Sequence, residues 1–160
     1  MNLRYLIFLC FFGLFSCEKD DICLEGTPGT PRMIVLFKDY QNPSVLKAVS
    51  DLTIKGFDQE TAFAVFSGDS VAIPLKNNFK FTQYELLLGT EDEVPIADSL
   101  QINYRQFDLY INRACGYKSN FIFEDPSHYI LTQGNGWIKR IEIIKDTLAD
   151  EKNSHMAIYH

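Results

Sequence analysis

Apolar residues recur at every second position along much of this chain. The segments Leu52–Ile54 and Leu100–Tyr104 both follow this pattern, with polar residues between the apolar ones. Successive side chains of an extended chain point to opposite faces, so a period of two predicts strands with one buried face. Turn-forming segments such as Gln41–Pro43 and Ser67–Asp69 separate the apolar runs at short intervals. The sequence therefore predicts an all-β fold.

The length and the turn spacing narrow this fold class. The chain has 160 residues, which is room for one domain, and short strands with regular turns are typical of sandwiches and barrels. We predict an antiparallel β-sandwich, immunoglobulin-like or related, with a small β-barrel as the alternative. The Cys, Trp, Cys order of immunoglobulin domains is missing, because Trp137 follows both Cys23 and Cys115. The strand topology thus stays open, and Trp137 is predicted to pack in the core.

Two segments, Met33–Phe37 and Ile141–Ile144, are more continuously apolar than the rest. A strand covered on both faces has this composition, so we predict that both are central strands. The apolar residues of Leu100–Tyr104 and of Phe107–Ile111 differ in phase. This difference predicts a bulge or a turn around Arg105–Gln106.

The first residues have the pattern of an export signal. Arg4 supplies a positive charge, and Tyr5–Phe15 is an apolar run of the length that secretory signals use. The run is too short to span a membrane, which needs about 20 apolar residues. The segment Leu14–Cys17 then resembles the lipobox of bacterial lipoproteins, in which the cysteine is acylated and becomes the first mature residue. We predict that Cys17 carries lipid; the alternative is an ordinary secreted protein that is cleaved elsewhere.

A short charged segment follows Cys17. It resembles the lysine-plus-acid signal that sends Bacteroidota lipoproteins through the outer membrane to the cell surface, and its residues are Glu18, Lys19, Asp20 and Asp21. The alternative is a polar tether that holds the domain off the bilayer.

Thr27–Pro31 is rich in Pro and Gly, which disfavour both helix and strand interiors. The prediction is a signal peptide over 1–16, an acylated cysteine with a flexible tether over 17–31, and a single β-sandwich domain over 32–160.

Two of the four cysteines remain for the mature domain, because Cys10 lies in the signal and Cys17 would carry lipid. Export places Cys23 and Cys115 in an oxidising compartment, where disulfides persist. No further cysteine or histidine lies near Cys23 with zinc-like spacing, so a disulfide is favoured over a metal ligand or a reactive thiol.

Residues for catalysis are scarce in this sequence. His128, His155 and His160 share no metal-binding spacing, and the chain has no nucleophile elbow and no phosphate-binding loop. Glu91–Glu93 is a run of carboxylates, but calcium loops alternate their ligands, so a solvated loop tip is favoured. We therefore expect no enzymatic activity, no metal and no cofactor.

The net charge of the chain points away from nucleic acid. It is −6 overall, and −7 once the signal with its single charge, Arg4, is removed, which leaves 14 basic and 21 acidic residues. Proteins that bind nucleic acid present a basic surface.

Four segments together resemble an uncharacterised family of Bacteroidota lipoproteins: Cys17–Cys23, Asn112–Tyr117, Ile141–Thr147 and His155–Tyr159. The resemblance covers nearly the whole mature chain. It implies a small lipid-anchored β domain with paired cysteines, and it implies no reaction. It also indicates that the C-terminus is a last strand, with Met156 and Ile158 on one face.

These observations give two expectations about function. The first is a non-enzymatic accessory or interaction module of the cell envelope. Lipid would anchor it in the outer membrane, facing the cell surface or the periplasm, and its partner would be an outer-membrane β-barrel or another envelope protein. An exposed sheet edge would recruit a strand of that partner. The second is a carrier that holds a small apolar or sugar ligand in a barrel or sandwich cleft.

Overall fold

The computed structural model describes residues 22–89, 95–123, 128–133 and 136–160. These residues form strands and contain no helix. In chain order the strands are β1 (Met33–Lys38), β2 (Val49–Gly56), β3 (Ala62–Gly68), β4 (Ser70–Ile73), β5 (Phe81–Leu88), β6 (Ile96–Asn112), β7 (Gly116–Phe123), β8 (Tyr129–Gln133), β9 (Arg140–Ile143), β10 (Thr147–Leu148) and β11 (Met156–Tyr159).

The strands form two sheets. One has four strands in the order β4-β1-β11-β9, and the other has seven, in the order β10-β7-β6-β5-β2-β3 with β8 paired to β6. Neither described sheet closes on itself, and the buried side chains of both sheets form one core. The structure thus confirms the predicted β-sandwich rather than the alternative barrel.

The apolar alternation has the predicted consequence in the larger sheet. In β6 the burial alternates from Asp98 to Tyr104, and in β2 Leu52 and Ile54 are buried while Thr53 between them is half-buried. A strand with one face against a core shows this alternation because its side chains alternate in direction.

The smaller sheet departs from a purely antiparallel arrangement at its centre. Strands β1 and β11 pair in parallel, with Val35 opposite Met156 and Phe37 opposite Ile158. All four residues of β11 are buried, and this strand lies between β1 and β9. The prediction of a last strand at the C-terminus is confirmed.

One of the two predicted central strands lies at an edge. Strand β1 lies between β4 and β11, as expected, but β9, which contains Ile141 and Ile143, ends the four-stranded sheet. The apolar run Ile141–Ile144 does not require cover on two faces, since Ile141 is buried and Ile144 is 45% exposed.

Strand β6 passes through Arg105–Gln106 without a turn. The phase of the apolar residues changes there because Phe107 and Leu109 are exposed by 40% and 50% instead of facing the core. An apolar residue on a solvent-facing position carries no information about the buried face.

The contacts divide the chain into two compact units. In its described residues the first comprises 22–27 and Tyr110–Tyr117, and it is called the disulfide unit below. The second comprises Pro28–Leu109 and Lys118–His160 and contains the core of the sandwich.

Candidate interaction surface

The described residues contain no group of three or more His, Cys, Asp or Glu side chains placed to hold a metal ion. Two of the three histidines bind the backbone: Nδ1 of His155 accepts a hydrogen bond from the Ile34 amide at 3.2 Å, and Nε2 of His160 lies 3.0 Å from the Lys47 carbonyl oxygen. The carboxylate run Glu91–Glu93 lies outside the described residues.

His155 is a buried polar side chain directly before β11. It is fully buried, and its Nε2 has no hydrogen-bond partner among the described residues. Burial is the main cause that lowers the pKa of His155; the charge of Lys145 lowers it further, whereas Asp150 and Glu151 oppose the shift. The lowered pKa favours the neutral ring, which can accept the Ile34 hydrogen bond at Nδ1.

Asp98 is a buried carboxylate of the larger sheet, with an exposed fraction of 2%. Its oxygens accept hydrogen bonds from the amides of Gly136, at 3.3 Å, and Ile138, at 2.8 Å. The segment between them places Trp137 in the core, where its Nε1 donates to the Leu86 carbonyl at 3.1 Å. This confirms the core position predicted for Trp137.

An open cleft of about 410 Å³ lies beside β3. Phe63, Leu75 and Tyr84 contribute to its walls. The Tyr84 hydroxyl donates to the Pro74 carbonyl, and burial, followed by the nearby Tyr104, raises the pKa of Tyr84. This hydroxyl therefore already has a hydrogen-bond partner within the protein.

A second set of polar groups next to the cleft is also bonded internally. The Tyr104 hydroxyl donates to the Lys76 carbonyl at 2.7 Å and lies 2.6 Å from the Thr82 hydroxyl. The Lys76 amide in turn donates to the Thr82 oxygen at 2.9 Å. The cleft therefore combines apolar walls with polar groups that already have partners.

Strand β3 ends the larger sheet and has the sequence AFAVFSG, without a charge or a proline. Its side chains alternate between half-buried and exposed, and Phe63 and Val65 are exposed by 46% and 70%. Its seven residues compare with four in β4, four in β9 and two in β10, the strands at the other sheet ends. Natural edge strands are usually short, charged or interrupted by proline, because an unprotected edge pairs with other chains.

The inner side of β3 is held by β2 through an irregular ladder. Register shifts fall between Val49 and Leu52 and between Ile54 and Lys55. At the first shift Asp51 adopts a φ of 54°, and its amide donates to the Ser67 hydroxyl at 2.9 Å. Bulges of this kind bend a strand locally and are over-represented at sheet edges.

The disulfide unit is built around a bond between Cys23 and Cys115. These two cysteines are the predicted pair, so the structure confirms this prediction. The hairpin turn is fixed by a hydrogen bond from the Cys115 amide to the Asn112 side chain at 2.7 Å. The Tyr110 and Tyr117 rings contact each other edge to face, with centroids 5.2 Å apart.

The residues of the predicted anchor and surface-export signal are not among those described: Cys17, Glu18, Lys19, Asp20 and Asp21. Their roles stay predictions. Within the part of the chain that the structure covers, no helix has the length and apolar character needed to cross a membrane.

The fold and the surfaces together define a class of protein. It is a small, disulfide-bonded β-sandwich whose described residues include an uncharged, exposed edge strand and an open cleft. Residues 51–160, more than half of the chain, match the model of DUF6452, a family of unknown function. The chain belongs to this family. No curated protein and no solved structure matches this chain.

Proposed function

We propose that this protein is a lipid-anchored lipoprotein of the bacterial outer membrane that acts as a non-enzymatic interaction module of the cell envelope, in a Bacteroidota cell. The observation that carries the interaction part of this proposal is strand β3, which is uncharged, exposed and longer than the strands at the other described sheet ends. The anchor part rests on the lipobox-like segment Leu14–Cys17.

The partner fits the edge as an added strand. An extended segment of another envelope protein would pair its backbone with β3, and its alternate side chains would contact Phe63 and Val65. Backbone pairing supplies the affinity in this mode, and the exposed apolar side chains select the sequence that binds.

The anchor is tested by acylation of Cys17. A Cys17→Ala variant should fail to incorporate labelled palmitate and should leave the membrane fraction, because the acyl chains hold the protein at the membrane. The matched control is Cys10→Ala, which lies within the apolar run of the signal and should keep both the label and the membrane location. Absence of the label in the wild-type protein would overturn the anchor.

The interaction is tested with Val65→Lys, which places a charge on an outward-facing side chain of β3. A charged edge resists strand addition, so an envelope partner identified by cross-linking to the wild type should be lost. Ile130→Lys is the matched control, since Ile130 is 49% exposed but lies on β8. Retention of the partner by Val65→Lys would contradict the proposal. If the purified wild-type protein forms a homodimer and Val65→Lys dissociates it, the edge strand β3 binds a second copy of this chain instead.

The cleft beside β3 favours one alternative function, a carrier for a small apolar or sugar ligand. Its volume of about 410 Å³ is within the range of small-molecule sites. Native mass spectrometry of protein purified from its own cells distinguishes the two: a bound small molecule that a Tyr84→Leu variant releases would favour the carrier.

A further inference from the structure

The disulfide unit exposes several large apolar side chains. Four of its side chains face solvent: Ile22 (76% exposed), Leu24 (75%), Tyr117 (69%) and Tyr110 (54%). Clustered exposed apolar side chains mark a surface that contacts another phase or another molecule.

The backbone that carries these side chains is cross-linked and hydrogen-bonded. The Cys23–Cys115 bond fixes the segment with Ile22 and Leu24 to the hairpin end. Thr27 donates hydrogen bonds to the Leu24 carbonyl from its hydroxyl at 2.7 Å and from its amide at 3.2 Å. The apolar side chains are therefore presented by a cross-linked backbone, and little ordering would accompany binding.

The position of the unit in the chain indicates what it contacts. Cys23 is six residues from Cys17, the residue proposed to carry the acyl chains. A chain segment spans at most about 3.6 Å per residue, so Cys23 lies within about 22 Å of the acylated residue. A short tether raises the effective concentration of the unit at the bilayer, so that even weak apolar contacts are populated.

We propose that the disulfide unit rests on the membrane interface and places the Tyr110 and Tyr117 rings, with Ile22 and Leu24, at the level of the lipid headgroups. This inference rests on the acylation of Cys17 proposed above. Tyrosine suits this level because its ring is apolar and its hydroxyl stays hydrated.

The charges near the unit select the kind of lipid surface. Within the unit Glu25 and Arg113 balance each other, and in the tether Glu18, Asp20 and Asp21 outnumber Lys19. An anionic bilayer attracts basic segments, so this acidic stretch favours a zwitterionic surface.

The test places a fluorescent probe on the unit. The mature acylated protein is reconstituted into phosphatidylcholine vesicles whose acyl chains carry bromine, which quenches tryptophan emission at short range. Tyr117→Trp is compared with Val65→Trp, because the two positions are exposed by 69% and 70%. The wild-type emission of Trp137 is subtracted from both. Tyr110→Trp is a second probe, should the first variant fail to fold.

The expected result is a loss of the added emission that is about two-fold or more greater at position 117 than at position 65, since interfacial groups lie within about 10 Å of the acyl region. Equal quenching at both positions, in protein that floats with the vesicles, would overturn this inference and leave the anchor intact. Protein that does not float would overturn the anchor and this inference together.

A second measurement distinguishes whether Tyr117 contacts lipid or another protein. A photoreactive phenylalanine analogue replaces Tyr117 in the native protein in intact cells. Adducts of lipid mass support the inference, and a discrete protein adduct would overturn it.

Discussion

Buried polar side chains hold the backbone at two points of this fold. Asp98 accepts hydrogen bonds from two amides of the Trp137 segment, and His155 accepts one from Ile34. A buried carboxylate or imidazole contributes only while its partners are in place, because the unpaired group costs about 1 to 3 kcal/mol. These residues thus make the native arrangement specific at positions where an apolar residue would only fill space.

The burial of His155 predicts a pH dependence of stability. Its pKa is lowered in the folded protein, so the unfolded chain takes up a proton first as the pH falls below the ordinary value of 6.5. The unfolded state then binds more protons, and the free energy of unfolding decreases with decreasing pH. We expect urea unfolding to show this loss as the pH falls through and below about 6.5, with the stability retained at higher pH.

A His155→Asn variant should lose that slope, since asparagine does not titrate and its side-chain oxygen replaces Nδ1 as the acceptor for Ile34. Carboxylates with lowered pKa values, such as Asp150 and Glu151, respond at lower pH, below their ordinary values of 3.8 and 4.5. An unchanged slope in the variant would contradict the assignment to His155.

Strand β11 is central to the smaller sheet. It separates β1 from β9, and Met156 and Ile158 are part of the core. Burial of such a side chain stabilises the fold by about 1.5 to 3 kcal/mol. The net free energy of unfolding of a domain is only about 5 to 15 kcal/mol, so the loss of both side chains is large by comparison.

Truncation after Asn153 removes β11 and is expected to abolish cooperative unfolding, as measured by near-ultraviolet circular dichroism during a thermal scan. The matched control lacks only His160 and keeps the whole of β11. We expect this control to unfold cooperatively at a modestly lower temperature. A truncated protein with the melting temperature of the full chain would refute the importance of the strand.

An alternating pattern of apolar residues predicts which face of a strand is buried. The buried faces of β2 and β6 follow from the period of two at Leu52 and Leu100. The same period also places Asp98, two residues before Leu100, on the buried face of β6. A carboxylate by itself suggests exposure, so the pattern alone did not identify Asp98 as buried. The parallel pairing of β1 with β11 and the edge position of β9 depend on contacts between distant segments, and no local pattern encodes them.

The sequence predicted less of the interaction surface than of the fold. Val65 and Phe63 alternate with small residues, which identifies a strand but not its place at the end of a sheet. The cysteine pair was predictable by elimination, whereas the exposure of Tyr110 and Tyr117 was not, because aromatic residues more often lie in cores.

At the scale of the whole molecule, the disulfide closes a sequence separation of 92 residues. On the loop-entropy model a bond over this separation stabilises the folded state by about 4 to 5 kcal/mol, because it restricts the unfolded chain. A variant with Cys23→Ser and Cys115→Ser should therefore have a much lower midpoint in urea. Wild-type protein treated with reductant should match the variant. Equal midpoints for the oxidised and reduced protein would show that the bond adds no stability.

The parallel pairing of β1 with β11 joins a strand from the start of the domain to the last strand of the chain. During synthesis β1 leaves the ribosome long before its neighbour β11, so the smaller sheet is completed only after Tyr159 has been made. Such an order delays folding until all segments are present. Such a delay would suit the export proposed above, because a chain has to stay extended while it passes through a translocation channel.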